Sequence, residues 1–113
     1  MSEAMLNIFR LIKTIYKKMN HSDQFLRALG TLISDYASLS GCTYAEVCSE
    51  LKISPQTYSK VWKGQTSNIV YYRDIYAYIR SELSRESQRE QMDIQLLRLF
   101  ANLLWVRLAL SKE

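Results

Sequence analysis

The chain has 113 residues, 48% of them hydrophobic and 23% charged, with a net charge of +4. That length can bury one modest core, and a single His with two Cys six positions apart supplies neither a zinc finger nor a disulfide framework, so free thiols are expected. Three Gly and one Pro among long periodic segments predict an all-α chain. Residues 1–20 carry scattered charges and no secretory apolar run. Residues 92–110, the longest apolar stretch, are interrupted by Asp93, Arg98, Asn102 and Arg107. A cytoplasmic chain with no membrane span is expected.

In chain order, residues 3–19 place Met5, Ile8, Phe9, Ile12, Ile15, Tyr16 and Met19 on one helical face, with Arg10, Lys13, Lys17 and Lys18 largely opposite. This predicts an amphipathic helix of about four turns, packed on its own domain or a partner chain rather than laid on a membrane. Residues 20–22 form a break. Their glycosylation-like triplet is a chance match, and His21 has no carboxylate or nucleophile at a meaningful spacing. Ser22 or Asp23 caps a second helix running to about Leu39, with Phe25, Leu26, Leu29, Leu32, Ile33 and Tyr36 inward. Gly30 weakens that helix by about 1 kcal/mol relative to alanine, which points to a close helix contact there.

Residues 43–64 carry the densest set of local signals. Val47, Cys48 and Leu51, then Ile53, Tyr58 and Val61, fall at helical spacing in two short runs broken at 52–55, predicting a helix, a tight turn and a second helix. Thr43 with Glu46 three residues on forms a capping box that starts the first helix at Tyr44. Ser54 followed by Pro55 is an N-cap with proline at the first helical position, and Gly64 suits a left-handed helix end. Small Cys48 lies where two crossing helices need room.

Residues 65–68 read as a polar loop and 69–83 as a helix crowded with Tyr71, Tyr72, Tyr76 and Tyr78, with Ile75 and Ile79 inward and several phenols at the rim. Residues 84–91 are the most polar stretch, either a linker or a solvated helix. A last helix is expected from Asp93, with apolar residues over nearly its whole circumference, which requires burial on more than one side. A dimer is therefore expected through Leu96, Leu99, Phe100, Leu103, Leu104, Val106 and Leu110.

The 43–64 stretch resembles, without a gap, the helix-turn-helix of the Cro/repressor-type (lambda repressor-like) DNA-binding family of phage repressors and bacterial regulators. The match is carried by Thr43, Ala45, Glu46, Val47, Cys48, Leu51, Ile53, Ser54, Tyr58, Val61 and Gly64, and upstream by Leu29, Gly30, Ile33 and Gly41. With Ile75 and Ile79 it covers residues 25–83. Two features depart from it. Lys52 replaces a frequent turn glycine, tolerable where the backbone is only mildly left-handed. Ala37 and Trp62 occupy the positions of a common Arg–Glu pair, so the indole is expected to fill the space over Ala37.

The resemblance implies a five- to six-helix bundle with a lambda repressor-like core and extra terminal helices. It divides the chain into 1–20 (amphipathic helix), 21–84 (DNA-binding domain) and 85–113 (oligomerisation helix). It also implies a transcriptional regulator that docks residues 55–63 in the major groove as a dimer, nucleoid-associated, with no catalytic residues, cofactor or metal. Base-reading positions fall on Pro55, Gln56, Thr57 and Lys60: Gln56 suits adenine, Lys60 guanine and the Thr57 methyl thymine. Phosphate contacts fall on Tyr44, Lys63, Gln65, Thr66, Ser67 and Asn68. Net charge is +3 over residues 1–20, 0 over 21–83 and +1 over 84–113, yet residues 52–80 hold Lys52, Lys60, Lys63, Arg73 and Arg80 against Asp74 alone. Repressor, activator and antitoxin all fit. The alternative is an interaction module that kept the fold and binds a protein, such as a toxin or regulator, through Trp62, the tyrosines and the terminal helices.

Overall fold

The computed structural model describes residues 3–17 and 23–111, with side chains placed for all of them except 16, 17, 23, 106, 107 and 109–111. Six helices follow one another: α1 (Glu3–Lys17), α2 (Asp23–Ser40), α3 (Tyr44–Leu51), α4 (Pro55–Trp62), α5 (Ile69–Glu82) and α6 (Glu86–Ser111). No strand occurs among the described residues, so the fold is an all-α multi-helix bundle. Met19, His21 and Ser22 lie outside the described residues.

The elements begin and end where local chemistry dictates. The Thr43 hydroxyl accepts from the Glu46 amide and opens α3; the Ser54 hydroxyl accepts from the Thr57 amide and opens α4, with Pro55 at its first position. Between them the turn is sharper than the sequence suggests, because Lys52 sits fully in the left-handed region at φ 55° and ψ 44°. There its amide, like that of Ile53, donates to the Cys48 carbonyl and closes α3.

α2 is the central post, touching α4, α5 and α6. Its contact with α4 is backbone against backbone. A β-carbon on Gly30 would lie 2.4 Å from the Val61 carbonyl oxygen and 2.6 Å from that of Trp62. Gly64, just beyond α4 at φ 65°, repeats the approach from the other side, since a β-carbon there would lie 2.5 Å from the Arg27 nitrogen. These two glycines seat α4 on α2 and fix the direction in which its outer face points.

The core is one buried cluster with members from all six helices. α1 contributes Met5, Phe9, Ile12 and Ile15 and packs on α5 and α6, with the Phe9 ring edge-on to Tyr76 at 5.3 Å. The tyrosines of α5 divide in a way their spacing did not reveal. Tyr71 and Tyr78 are half-buried at the rim, whereas Tyr72 and Tyr76 are wholly buried because each hydroxyl finds an internal acceptor, Thr66 O at 2.8 Å and Asp93 Oδ1 at 2.7 Å.

α6 begins at Glu86, seven residues before the predicted Asp93, so most of the polar 84–91 stretch forms its first turns. It carries two opposed apolar faces. Met92, Leu96 and Leu103 are buried against the chain's own core, with Leu99 and Phe100 half-buried beside them. Ile94, Leu97, Leu104, Trp105 and Leu108 remain 36–74% exposed on the other side. Leu96 and Leu103, expected at a dimer interface, are therefore consumed internally, at 0% and 4% exposure. Val106 and Leu110 lie outside the described side chains.

The glycine contact and the strained turn give opposite expectations for two substitutions. Gly30→Ala should destabilise by roughly 1–3 kcal/mol, although alanine is the better helix former by about 1 kcal/mol. Lys52→Gly should stabilise, because relief of about 1–2 kcal/mol of left-handed strain exceeds the added unfolded-state entropy of about 0.4–1 kcal/mol. Urea denaturation of both variants measures the signs; a stabilising Gly30→Ala would contradict the α2–α4 contact, and a destabilising Lys52→Gly the left-handed strain in the turn.

Candidate functional site

The surface built by α3, α4 and the 65–68 loop gathers the residues singled out in the sequence. Pro55, Gln56 and Lys60 are exposed on α4, with Lys63 exposed just past its end. The opposite side of α4, Tyr58 and Val61, is buried. Thr57 is half-buried, and its hydroxyl lies 2.9 Å from Ser54 Oγ, so its polar group serves the cap while its methyl remains for contact.

The loop is held from beneath and open above. Tyr72 donates to the Thr66 carbonyl, Thr66 Oγ1 accepts from the Asn68 amide at 3.3 Å, and Asn68 Oδ1 caps α5 through the Val70 amide at 3.1 Å. The Gln65 amide donates to Lys60 O at 2.7 Å. The Thr66 and Ser67 amides have no acceptor among the described residues, and the Gln65 and Ser67 side chains are exposed. Two of the loop's four expected phosphate-contact side chains, Thr66 and Asn68, thus shape the loop itself.

Tyr44 has a different task from the one expected. Its hydroxyl donates to the Pro55 carbonyl and its ring meets Tyr58 edge-on at 4.7 Å, so it ties the start of α3 to the start of α4 with its proton already committed. Trp62 likewise departs from expectation. It is 41% exposed and stands 6.2 Å from Tyr44 and 6.1 Å from Tyr58, rather than buried over Ala37. Ala37 needs no cover from it, being 7% exposed. The α2–α4 contact at Gly30 is made by the Val61 and Trp62 carbonyls, with the Val61 side chain buried and the Trp62 indole on the outer side. Burial pushes the Tyr58 phenol up, and the Trp62 indole partly offsets this. This aromatic triad was legible only as separate aromatic letters, because its members come from two helices.

The charge on the surface also differs from the sequence count. Arg80 leaves it altogether: its guanidinium grips both Asp93 oxygens at 2.9–3.1 Å and joins α5 to α6. Arg73 is paired with Asp74 at 3.0 Å. Lys52, Lys60 and Lys63 have no carboxylate partner among the described residues and carry the positive charge, with Glu46 and Glu50 exposed on neighbouring α3. No cluster of three His, Cys, Asp or Glu suited to a metal occurs among the described residues, and among them no helix is long and apolar enough to cross a membrane. Comparison with protein-family models, curated proteins and solved structures found no match for the chain.

The Arg80–Asp93–Tyr76 network makes a pH expectation. Burial, the hydrogen bond to Asp93 and that carboxylate's charge push the Tyr76 phenol far above its ordinary value of 10.0, with Arg80 opposing. A group whose folded pKa is raised contributes its stability fully below the unfolded value and loses it as pH climbs above that value. Stability should therefore fall above about pH 10. In Tyr76→Phe it should be lower by about 1 kcal/mol at neutral pH but decline less steeply in alkali, as read by urea titrations from about pH 8 to about pH 11. Parallel declines in the two proteins would contradict the assignment.

Proposed function

We propose that the chain is a double-stranded DNA-binding regulator of the Cro/repressor type, reading bases with the exposed face of α4. The observation that carries this is the setting of Gln56 and Lys60. Both are exposed on a helix that is capped at its start, seated backbone-to-backbone on α2, and followed by a loop presenting unpaired amides. A preorganised helix with bare polar ends is what major-groove readout requires, since each side chain must meet a base edge with little loss of freedom. Gln56 reads adenine and Lys60 guanine; the Thr57 methyl rests on thymine. Pro55 offers shape only. Lys63 and the Thr66 and Ser67 amides take phosphates.

Dimerisation belongs to the same reading. On the outer face of α6, Ile94, Leu97, Ala101, Leu104 and Leu108 recur at alternating spacings of three and four, the period of a two-helix seam. To hold two copies together specifically, the seam has to bury at least about 1,000 Å² in total. Two α4 helices then face half-sites about one DNA turn, roughly 34 Å, apart. The second reading, a protein-binding module, is favoured by one observation, the exposure of Trp62 beside Tyr44.

Fluorescence anisotropy with a mixed-sequence duplex at two salt concentrations tests the function. Micromolar binding that weakens steeply with salt and drops at least tenfold in Gln56→Ala/Lys60→Ala is expected, at about 1–3 kcal/mol per lost base contact. No binding at low salt would favour the protein-partner reading. In sedimentation velocity at micromolar concentration, the parent chain should run as a dimer and Leu97→Lys/Leu104→Lys as a folded monomer. A monomeric parent would remove the α6 seam.

A further inference from the structure

The basic face of α1, left unused by the motif, meets the start of α5 in a groove of about 220 Å³ lined by Phe9, Arg10, Lys13, Ile69, Val70 and Arg73. Three cations thus border one small concavity with apolar walls. Arg73 shares its charge with Asp74, both about 40% exposed. Arg10 has only the Asn7 side-chain oxygen at 3.5 Å, and Lys13 has no ion-pair partner among the described residues. Against the one carboxylate the groove keeps a net positive charge. Long cationic side chains lying on apolar walls with their heads in water are poised for an anion.

Position identifies the anion. Ile69 immediately follows the 65–68 loop, whose Thr66 and Ser67 amides have no acceptor among the described residues. Ile69 and Val70 thus place one wall of the groove directly after the loop. α5 also starts at its edge, adding field of the same sign. We infer that Arg10 and Lys13, with Arg73, hold backbone phosphates of the same DNA duplex that α4 reads, so that α1 extends the footprint by one to two phosphates beyond the helix-turn-helix. This rests on the DNA reading of α4. It gives a use to two of the four basic residues in 1–20, beside a 21–83 segment of zero net charge.

The test is the salt dependence of anisotropy with a mixed-sequence duplex, comparing the parent, Arg10→Gln/Lys13→Gln, Gln56→Ala/Lys60→Ala, and Arg85→Gln/Arg98→Gln, which removes the same charge from exposed positions elsewhere. Thermal unfolding of each variant confirms that it folds. Arg10→Gln/Lys13→Gln should lower affinity roughly ten- to a hundredfold near 0.1 M salt and reduce the slope of log K against log salt by about 1.8. Arg85→Gln/Arg98→Gln should keep the parental slope. If the parent binds and Gln56→Ala/Lys60→Ala weakens it while Arg10→Gln/Lys13→Gln keeps the parental slope, the groove is no phosphate site and the α4 reading stands. Equal slope losses in both arginine-containing variants would reduce the groove to bulk charge and overturn it. A parent that binds no duplex would overturn both.

Discussion

The backbone contact between α2 and the end of α4 governs what the rest of this surface can do. Gly30 and Gly64 each bring a main chain to within a distance that no β-carbon tolerates, so the end of α4 is pinned to α2 at two neighbouring points. With Val61 and Tyr58 buried beneath it, α4 has little freedom to roll or slide. Its outward residues are then set by sequence spacing alone. Gln56 and Lys60 are four apart and share a face, and with Val61 turned inward the neighbouring Trp62 indole falls on the outer side. A helix of eight residues has little intrinsic stability, so this rigidity comes from the seat, the Ser54 cap and the Tyr44 tie to Pro55 rather than from propensity.

A second, independent brace joins α5 to α6. Arg80 and Tyr76 converge on Asp93, and this polar knot, one-fifth to one-quarter exposed at the ion pair, orients α6 so that Met92, Leu96 and Leu103 enter the core. The consequence is felt on the far side. Once those residues are buried, the remaining apolar residues of α6 form a separate stripe facing solvent. Each brace therefore positions one outer surface, α4 in the first case and the α6 stripe in the second.

Much of this was legible in the sequence, where the signal was local. Thr43 and Ser54 announce their helices because capping involves residues three apart, and Gly30 announced a close contact because nothing else repays glycine inside a helix. The unread parts are those decided by distant partners. Tyr72 and Tyr76 look like rim residues until Thr66 and Asp93 supply acceptors. Arg80 counts as surface charge until Asp93 takes it, and Leu96 counts as interface until α6 is oriented. The polar start of α6 read equally as a linker or a solvated helix because an exposed first turn has no apolar period to show, and it is the helix that forms. In the candidate site, Gln56, Lys60 and Lys63 stood exposed as expected, whereas Tyr44 and Trp62 meet in contacts between elements that spacing along the chain does not encode, and the Thr57 hydroxyl is drawn into the local Ser54 cap.

The central claim, that α4 and the loop after it meet duplex DNA, is tested most directly by amide chemical-shift mapping of the ¹⁵N-labelled chain during titration with a short mixed-sequence duplex. The account predicts that the largest changes fall on Gln56, Thr57, Lys60, Thr66 and Ser67, with smaller ones at Arg10 and Lys13, while the inner face of α6 stays unmoved. Changes confined to α6 or to the surroundings of Trp62, or none at a duplex excess, would contradict it.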